Sequence, residues 1–332
     1  MINRLLYFGY YVRHLDWDRL RIFQIYLKSQ RGYSSIRQWI LIFYHSVKYN
    51  ISILEYYQFR FFEMSHAQKL NWAGTGHMYE YQKVMNPPSK RQILDDKREF
   101  YKFYREFFVH HVFSLNELLQ DPVLVNKILE SQKLVFKVSN GKCGTSVRII
   151  SSAELGRNSF VSYMNKEGFD MVETFISQHP SLNALSPSAV NTVRIFTQLN
   201  NCNEVEILGC RQRISINSSV DNLAAGNLAA PIDESTGVIT GPGVYSDITK
   251  EAVSIHPLTG VSIVGFQVPF WKECVQLATD AALKYKQNRS IGWDIVVTAN
   301  GPGLIEGNHD WCKLVWQLPV NEGLKSMLKT SV

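Results

Sequence analysis

The apolar positions in the first 70 residues recur at helical spacing. Leu20, Phe23, Tyr26 and Leu27 fall on one helical face, and Ile36, Ile40, Phe43 and Tyr44 suggest a second. The stretch is aromatic and free of proline, so two or three amphipathic helices are predicted, with a break near residues 32–35. Gly74, Gly76 and the run Asn86, Pro87, Pro88, Ser89 mark a loop, and residues 91–130 return to a helical pattern. From Leu134 the texture changes to short β-rich runs at 134–138, 146–150, 171–176, 192–199 and 204–212. A helix is predicted over about 270–287, followed by strands at 293–298 and 303–308 around a turn at 299–302. There is no internal repeat. The pattern predicts an α+β protein with helices first, then a small lobe, then a larger one, divided as 1–85, 86–180 and 181–332.

Composition narrows the class. With 45% hydrophobic and 19% charged residues, the chain of 332 residues has the make-up of a globular protein with more than one core. Charge is distributed unevenly. Residues 1–60 hold nine Lys/Arg against three acids, a net of +6, and this equals the net charge of the whole chain. Such a segment could meet nucleic acid, an anionic membrane or an acidic glycan, or could simply be a solvated helical face. Aromatic and basic residues on one amphipathic helix suit a membrane headgroup region, and helices packed on a catalytic lobe also need many aromatics. Both readings stay open. The expected partners are small-molecule or saccharide substrates rather than nucleic acid, with possible peripheral contact to membrane-bound glycan machinery through residues 1–60. Five scattered cysteines without CxxC spacing imply no disulfide framework or zinc site, which fits a reducing cytoplasm. The N-terminus makes a poor signal peptide, and no apolar run reaches the roughly 20 residues needed to cross a bilayer. The expected location is cytoplasmic, with the inner face of the membrane as a peripheral option.

Two segments carry candidate chemistry. If 293–298 and 303–308 form an antiparallel hairpin, Glu306 and Asn308 project to one face and Asp294 can lie opposite them. Two carboxylates and an amide oxygen form a hard, oxygen-only site suited to Mg2+, whereas a surface hairpin would leave them merely solvated. In the second segment, a strand ending in Lys137 and Val138 runs into residues 139–147, a loop rich in Ser, Gly and Thr. Such a loop lets backbone N–H groups approach phosphate oxygens, with the lysine adding fixed positive charge. It is not a Walker A loop, because Gly141-Lys142 is followed by Cys143. A Gly-rich turn with no ligand is the alternative. His110 and His111, on a predicted helix, have no partner at ligand spacing. His256, before Pro257, reads as a loop-ordering residue.

Together these segments resemble the ATP-grasp fold, in which two α+β lobes clamp ATP, here preceded by an N-terminal helical region. Within that superfamily the sequence is most similar to the sugar-transfer-associated group, through residues 188–194, 220–227, 256–260 and 292–308. The resemblance spans roughly residues 90–310. It implies that Lys97 and Lys137 contact the phosphates and that residues 140–146 form the lid, with Asn140, Gly141, Gly144, Thr145 and Ser146 as binding residues. It further implies that residues 172–176 form the adenine-contacting hinge, with Glu173, Phe175, Ile176 and Gln178 touching nucleotide. Asp294, Glu306 and Asn308 would bind magnesium, with two ions expected beside ATP. Arg194 and one of Arg211 or Arg213 would stabilise the transferring phosphoryl group. The implied activity is ATP-dependent carboxylate–amine ligation through an acylphosphate, on a saccharide of capsule or O-antigen assembly. Alternatives are a peptide-like ligase of small-molecule biosynthesis and a non-catalytic nucleotide-binding module docked on glycan machinery. One departure is Asn227, where the pattern leads us to expect a second glycine.

Overall fold

The computed structural model describes residues 2–139 and 147–330. Three helices open the chain: α1 (Ile2–Arg13), α2 (Trp17–Arg31) and α3 (Ser35–Tyr49). Their ends are set by local chemistry. Asp16 accepts from the Arg19 N–H at the start of α2, and Gly32 closes that helix in the left-handed region at φ 66°. Ser34 then caps α3 by accepting from the Arg37 N–H. The predicted break thus falls where expected.

The α2 face is as predicted, with Leu20, Phe23 and Leu27 buried beneath the aromatic cluster of Tyr56, Tyr57, Phe59, Phe61 and Trp72. The α3 face is not. Ile36, Ile40, Phe43 and Tyr44 point outward, with exposures of 76%, 64%, 47% and 48%. The buried side of α3 instead carries Gln38, Ile42, His45, Ser46 and Tyr49. Polar side chains can face inward here because several find partners. Gln38 Nε2 donates to the carbonyls of Gln24 and Tyr33, and Gln38 Oε1 accepts from the Tyr57 hydroxyl at 2.7 Å.

The smaller sheet is antiparallel, with strand order β1–β4–β2–β3, from β1 (Val112–Ser114), β2 (Lys133–Lys137), β3 (Val147–Ser151) and β4 (Met171–Thr174). β1 lies within a region the sequence pattern reads as helical. It is only three residues long, and Ser114 ends it by capping the helix Leu115–Gln120 in a reciprocal box with Glu117. The core of this lobe forms around Leu134, Phe136, Phe160, Met164 and Val172.

The larger sheet has the order β7–β6–β5–β8–β9, all antiparallel: β5 (Val193–Leu199), β6 (Val205–Ile214), β7 (Leu228–Ile232), β8 (Ser290–Thr298) and β9 (Gly301–Asn308). The helix Trp271–Lys284 covers one face with Cys274, Ala278, Ala281 and Ala282, against Val193, Ile195, Trp293 and Ile295. Phe100 and Tyr104 join this core, so the helix Lys97–Tyr104 packs on the larger sheet although sequence order groups it with the small lobe. The opposite face is left to a cleft and, beside it, to Trp311 and Trp316.

Candidate active site

The cleft has a volume of about 1180 Å³ and lies between the two sheets. Its floor is built on a row of backbone positions running straight across the larger sheet, of which Arg194, Asp294 and Glu306 line the cleft. Arg211 stands opposite Arg194, Arg194 opposite Asp294, and Asp294 opposite Glu306. A register shift after Asp294 brings Glu306 into that line. Gly292 then pairs with Asn308, so Asp294, Glu306 and Asn308 converge on one face. Two glycines allow this close approach. A Cβ on Gly307 would sit 2.9 Å from the Trp293 ring, and one on Gly292 would sit 2.7 Å from Trp311 Cβ.

An ion network holds the floor. Arg194 closes on Asp294 through Nε and, at 2.8 Å, Nη2, while Arg213 Nη1 reaches the same carboxylate at 2.9 Å. Burial alone would raise the Asp294 carboxyl. Arg194 and Arg213 more than offset this and hold it below the usual aspartate range. Glu306 moves the other way, raised by burial and by the neighbouring Asp294 charge. Asn308 Nδ2 donates to Glu306 Oε1 at 3.2 Å. Burial would lower the Arg213 guanidinium, but Asp221 and Asp294 together raise it.

The 220–227 segment was singled out by sequence without a definite role, and its geometry now supplies one. Asp221 pairs with Arg213 at 2.6 Å and also accepts from the Thr192 N–H at 2.8 Å; Asn222 Oδ1 takes a further Arg213 N–H. Asn227 clamps the loop, accepting from the Ile216 N–H and donating to the carbonyls of Val220 and Asn222. An amide does here what no glycine could. Asp221 and Asn222 were therefore missed as site residues, because their importance lies in orienting an arginine distant in sequence.

Arg211 does not share the cleft. Its guanidinium turns away and donates to the Trp316 carbonyl at 3.0 and 2.6 Å, and burial lowers it to about 10. Of the two candidates, Arg213 lines the cleft. Its Nε is buried and has no acceptor among the described residues.

The other wall comes from the smaller sheet. Lys137 on β2 pairs with Glu173 on β4, two residues diagonal to it in the ladder. Glu173 is buried, which alone would raise its carboxyl; Lys137 and then His110 outweigh that and bring it down to about 2. His110 Nε2 lies 3.6 Å from Glu173. His110 thus sits in a bend just before β1 rather than on the expected helix, and its role is to support the Glu173 carboxylate. Lys97 starts the helix Lys97–Tyr104, whose first turn is capped by Asp96 accepting from the Arg98 N–H. Lys97, Lys137, Glu173 and Glu306 meet around a small cavity of about 30 Å³ where the lobes touch.

Phe175, Ile176 and Gln178 continue from β4 into the cleft wall. Gln178 is committed to its neighbours, donating to the Ser186 and Ala189 carbonyls and accepting from Asn191. Asn140, Gly141, Gly144, Thr145 and Ser146 lie outside the described residues. His256 orders its loop as expected, with Nδ1 accepting from the Leu258 and Thr259 N–H groups and Nε2 donating to the Ser215 carbonyl.

Comparison with known proteins identifies the family. The sugar-transfer associated ATP-grasp family matches residues 77–331, and the chain belongs to that family. No curated protein matches it in sequence. Among solved structures, it is similar to the ATP-grasp ligase PsnB complexed with a phosphomimetic variant of its minimal precursor, Mg and ADP. Identity there is 14% and the TM-score 0.42, covering 76% of this chain and 64% of that one. It is also similar to an L-amino acid ligase from Bacillus licheniformis (15% identity, TM-score 0.37, 66% of this chain and 41% of that one). A third is N5-carboxyaminoimidazole ribonucleotide synthetase from Thermotoga maritima (13% identity, TM-score 0.39, 70% and 48%). The chain thus spans less than two thirds of the length of each of these structures.

Proposed function

We propose that the protein is an ATP-dependent carboxylate–amine ligase acting on a saccharide substrate. The observation that carries this reading is the single cleft in which Asp294, Glu306 and Asn308 face Lys97 and Lys137, with Arg194 and Arg213 beside them. Its volume of about 1180 Å³ exceeds the roughly 300–1,000 Å³ usual for one small ligand, which suits a nucleotide together with a second substrate.

The donor set fits magnesium. A buried and a half-buried carboxylate oppose each other directly, so one of them is raised, and a hard divalent cation relieves that repulsion while leaving positions for phosphate oxygens. Asp294, Glu306 and Asn308 would hold Mg2+, which when bound offsets phosphate charge; two ions are the expected number. Lys97 and Lys137 would bind triphosphate oxygens, and Lys137 would exchange part of its contact with Glu173 for them. Phe175 and Ile176 would pack on the adenine. The unpartnered Arg213 Nε supports an anionic ligand at that end of the floor, with Arg194 alongside. The substrate carboxylate oxygen would attack the γ-phosphorus as the bond to ADP breaks. An amine would then attack the acyl carbon, expelling phosphate and losing a proton. Positioning and fixed charge supply the rate in such chemistry.

The saccharide rests on the family's association with sugar transfer. Phosphate release with paired uronates, amino acids and amines tests the proposal, with Glu306→Gln as the control. ADP formation that requires both a carboxylate and an amine is expected. Turnover indifferent to every carboxylate would sink it, and a response to amino acids but not uronates would favour the peptide-like ligase.

A further inference from the structure

The outward face of the N-terminal helices has no occupant among the described residues. α1 runs antiparallel to α3: Arg4 donates to the Val47 and Lys48 carbonyls at 3.1 and 2.8 Å, and the Phe8 and Phe43 rings meet at 5.1 Å. Leu5 on α1 is exposed, and Ile36, Ile40 and Phe43 form one exposed stripe along α3 that reaches α1 where the Phe43 ring meets Phe8. Exposed Trp17 extends it, with its ring 6.2 Å from that of Trp39. Scattered surface apolar residues are ordinary, but a stripe at helical spacing that continues onto the next helix is a contiguous patch.

We propose that this face seats the protein on an anionic lipid bilayer. The charge around the patch selects that occupant. Residues 1–50 contain eight Lys/Arg and two acids, Asp16 and Asp18, both at the start of α2. Arg13, Arg21, Lys28 and Arg37 are exposed, and none has a carboxylate partner among the described residues. A second copy would set +6 against +6, whereas an anionic headgroup layer complements the cations and takes up Ile, Phe and Trp side chains at its acyl boundary. Among the described residues no helix is long and apolar enough to cross a membrane, so the contact is a surface one.

The module is fixed to the catalytic lobe. Buried Glu55 pairs with Lys313 at 3.0 Å, Gln58 donates to the Ser246 carbonyl, and Arg19 Nη2 reaches the Ala224 carbonyl at 3.4 Å. Ala224 follows the Asp221–Asn222 pair that orients Arg213, so seating on a bilayer would hold the cleft at a set distance from the lipid surface. A substrate carried on a lipid would be presented there.

Flotation of the full chain with vesicles of phosphatidylglycerol and phosphatidylcholine, against phosphatidylcholine alone, is the test. Binding to the anionic vesicles is expected at low salt, falling as salt rises because the Debye length shortens to about 10 Å at 0.1 M. The double variant I36E/I40E alters only exposed positions. It should keep its melting temperature and nucleotide binding while losing vesicle binding by roughly tenfold or more. Absence of flotation on anionic vesicles at low salt would overturn the proposal, as would flotation indifferent to I36E/I40E. A concentration-dependent dimer that I36E/I40E dissolves would also overturn it, by assigning the face to a second copy.

Discussion

Arg194 and Asp294 stand opposite each other on adjacent strands, and the arginine engages both oxygens of the carboxylate. Asp294 is therefore structural as well as a candidate metal ligand, because Arg213 depends on it too. Glu306 holds no arginine in place: Asn308 Nδ2 donates to it and Asp294 lies opposite, and a glutamine could donate to Asp294 in its place. The two substitutions should separate. Asp294→Asn leaves two buried guanidinium groups short of charge and is expected to cost about 3–5 kcal/mol in urea unfolding. Glu306→Gln should unfold like the parent and lower ATP turnover by roughly two to four orders of magnitude. Equal stability loss in both, or near-normal turnover in folded Glu306→Gln, would contradict this account.

Much of that site was legible in the sequence. A two-residue spacing in a strand places Glu306 and Asn308 on one face, and a short turn returns the chain to Asp294. It is the register shift after Asp294, which no periodicity announces, that sets Asp294 opposite Glu306. The arginine network was not legible. It depends on which of Arg211 and Arg213 reaches the cleft, and alternation alone puts both on the same side of β6. The choice is made by the Trp316 carbonyl, about a hundred residues away. The α3 register failed for a related reason. Apolar periodicity marks a face but does not say whether protein or something else covers it, and Gln38 and His45 had partners no sequence window contains.

Lys137 and Glu173 form a second separable pair. Lys137→Met leaves a buried carboxylate with only His110, so the fold should weaken as nucleotide binding is lost. Adding Glu173→Gln removes the stranded charge and should restore most of the stability, while nucleotide affinity stays low. The sign with pH follows from the depressed carboxyl. Its contribution in the parent is complete above pH 4.5 and is lost as pH falls towards about 2. Thermal melts of the two variants and calorimetric nucleotide titrations check both halves. A double variant that binds nucleotide like the parent would remove Lys137 from the phosphate site.

Arg213 and Arg211 should differ in kind. Arg213→Met is expected to lower turnover at least a hundredfold at saturating nucleotide in the protein that remains folded, besides weakening the fold by stranding Asp221 and Asp294. Arg211→Met should act on stability alone, through the lost Trp316 contacts. Steady-state kinetics beside urea unfolding separates them. A turnover loss in folded Arg211→Met as large as that of Arg213→Met would restore Arg211 as a candidate.

The last prediction concerns His45, buried beneath α3 and remote from the chemistry. Lys69 Nζ lies 3.1 Å from its Nε2, and a lysine can only donate, so Nε2 accepts and Nδ1–H donates to the Leu41 carbonyl at 2.7 Å. The imidazole is therefore neutral. Protonating it would place two cations in contact inside an aromatic cluster, and burial, with the Lys69 charge, lowers it from 6.5 to about 4. The unfolded chain takes up this proton first, near pH 6.5, so stability falls as pH drops from 6.5 towards 4 and the loss is complete below that. Carboxylates held low, such as Glu173, contribute mainly below pH 4.5. Glu306 and Glu234, which are raised, act in the upper window with the opposite sign and do so in parent and variant alike, so the His45 share is the difference between the two slopes. His77, also lowered to about 4 by burial, shares the upper window. His45→Gln should start from lower stability, because the ring packing is lost, yet show a shallower decline in melting temperature between pH 6.5 and 4.5. The slope is the readout, since a packing defect alone shifts the curve without flattening it. An unchanged slope in the folded variant would mean that His45 titrates normally and that the Lys69 contact does not hold it neutral.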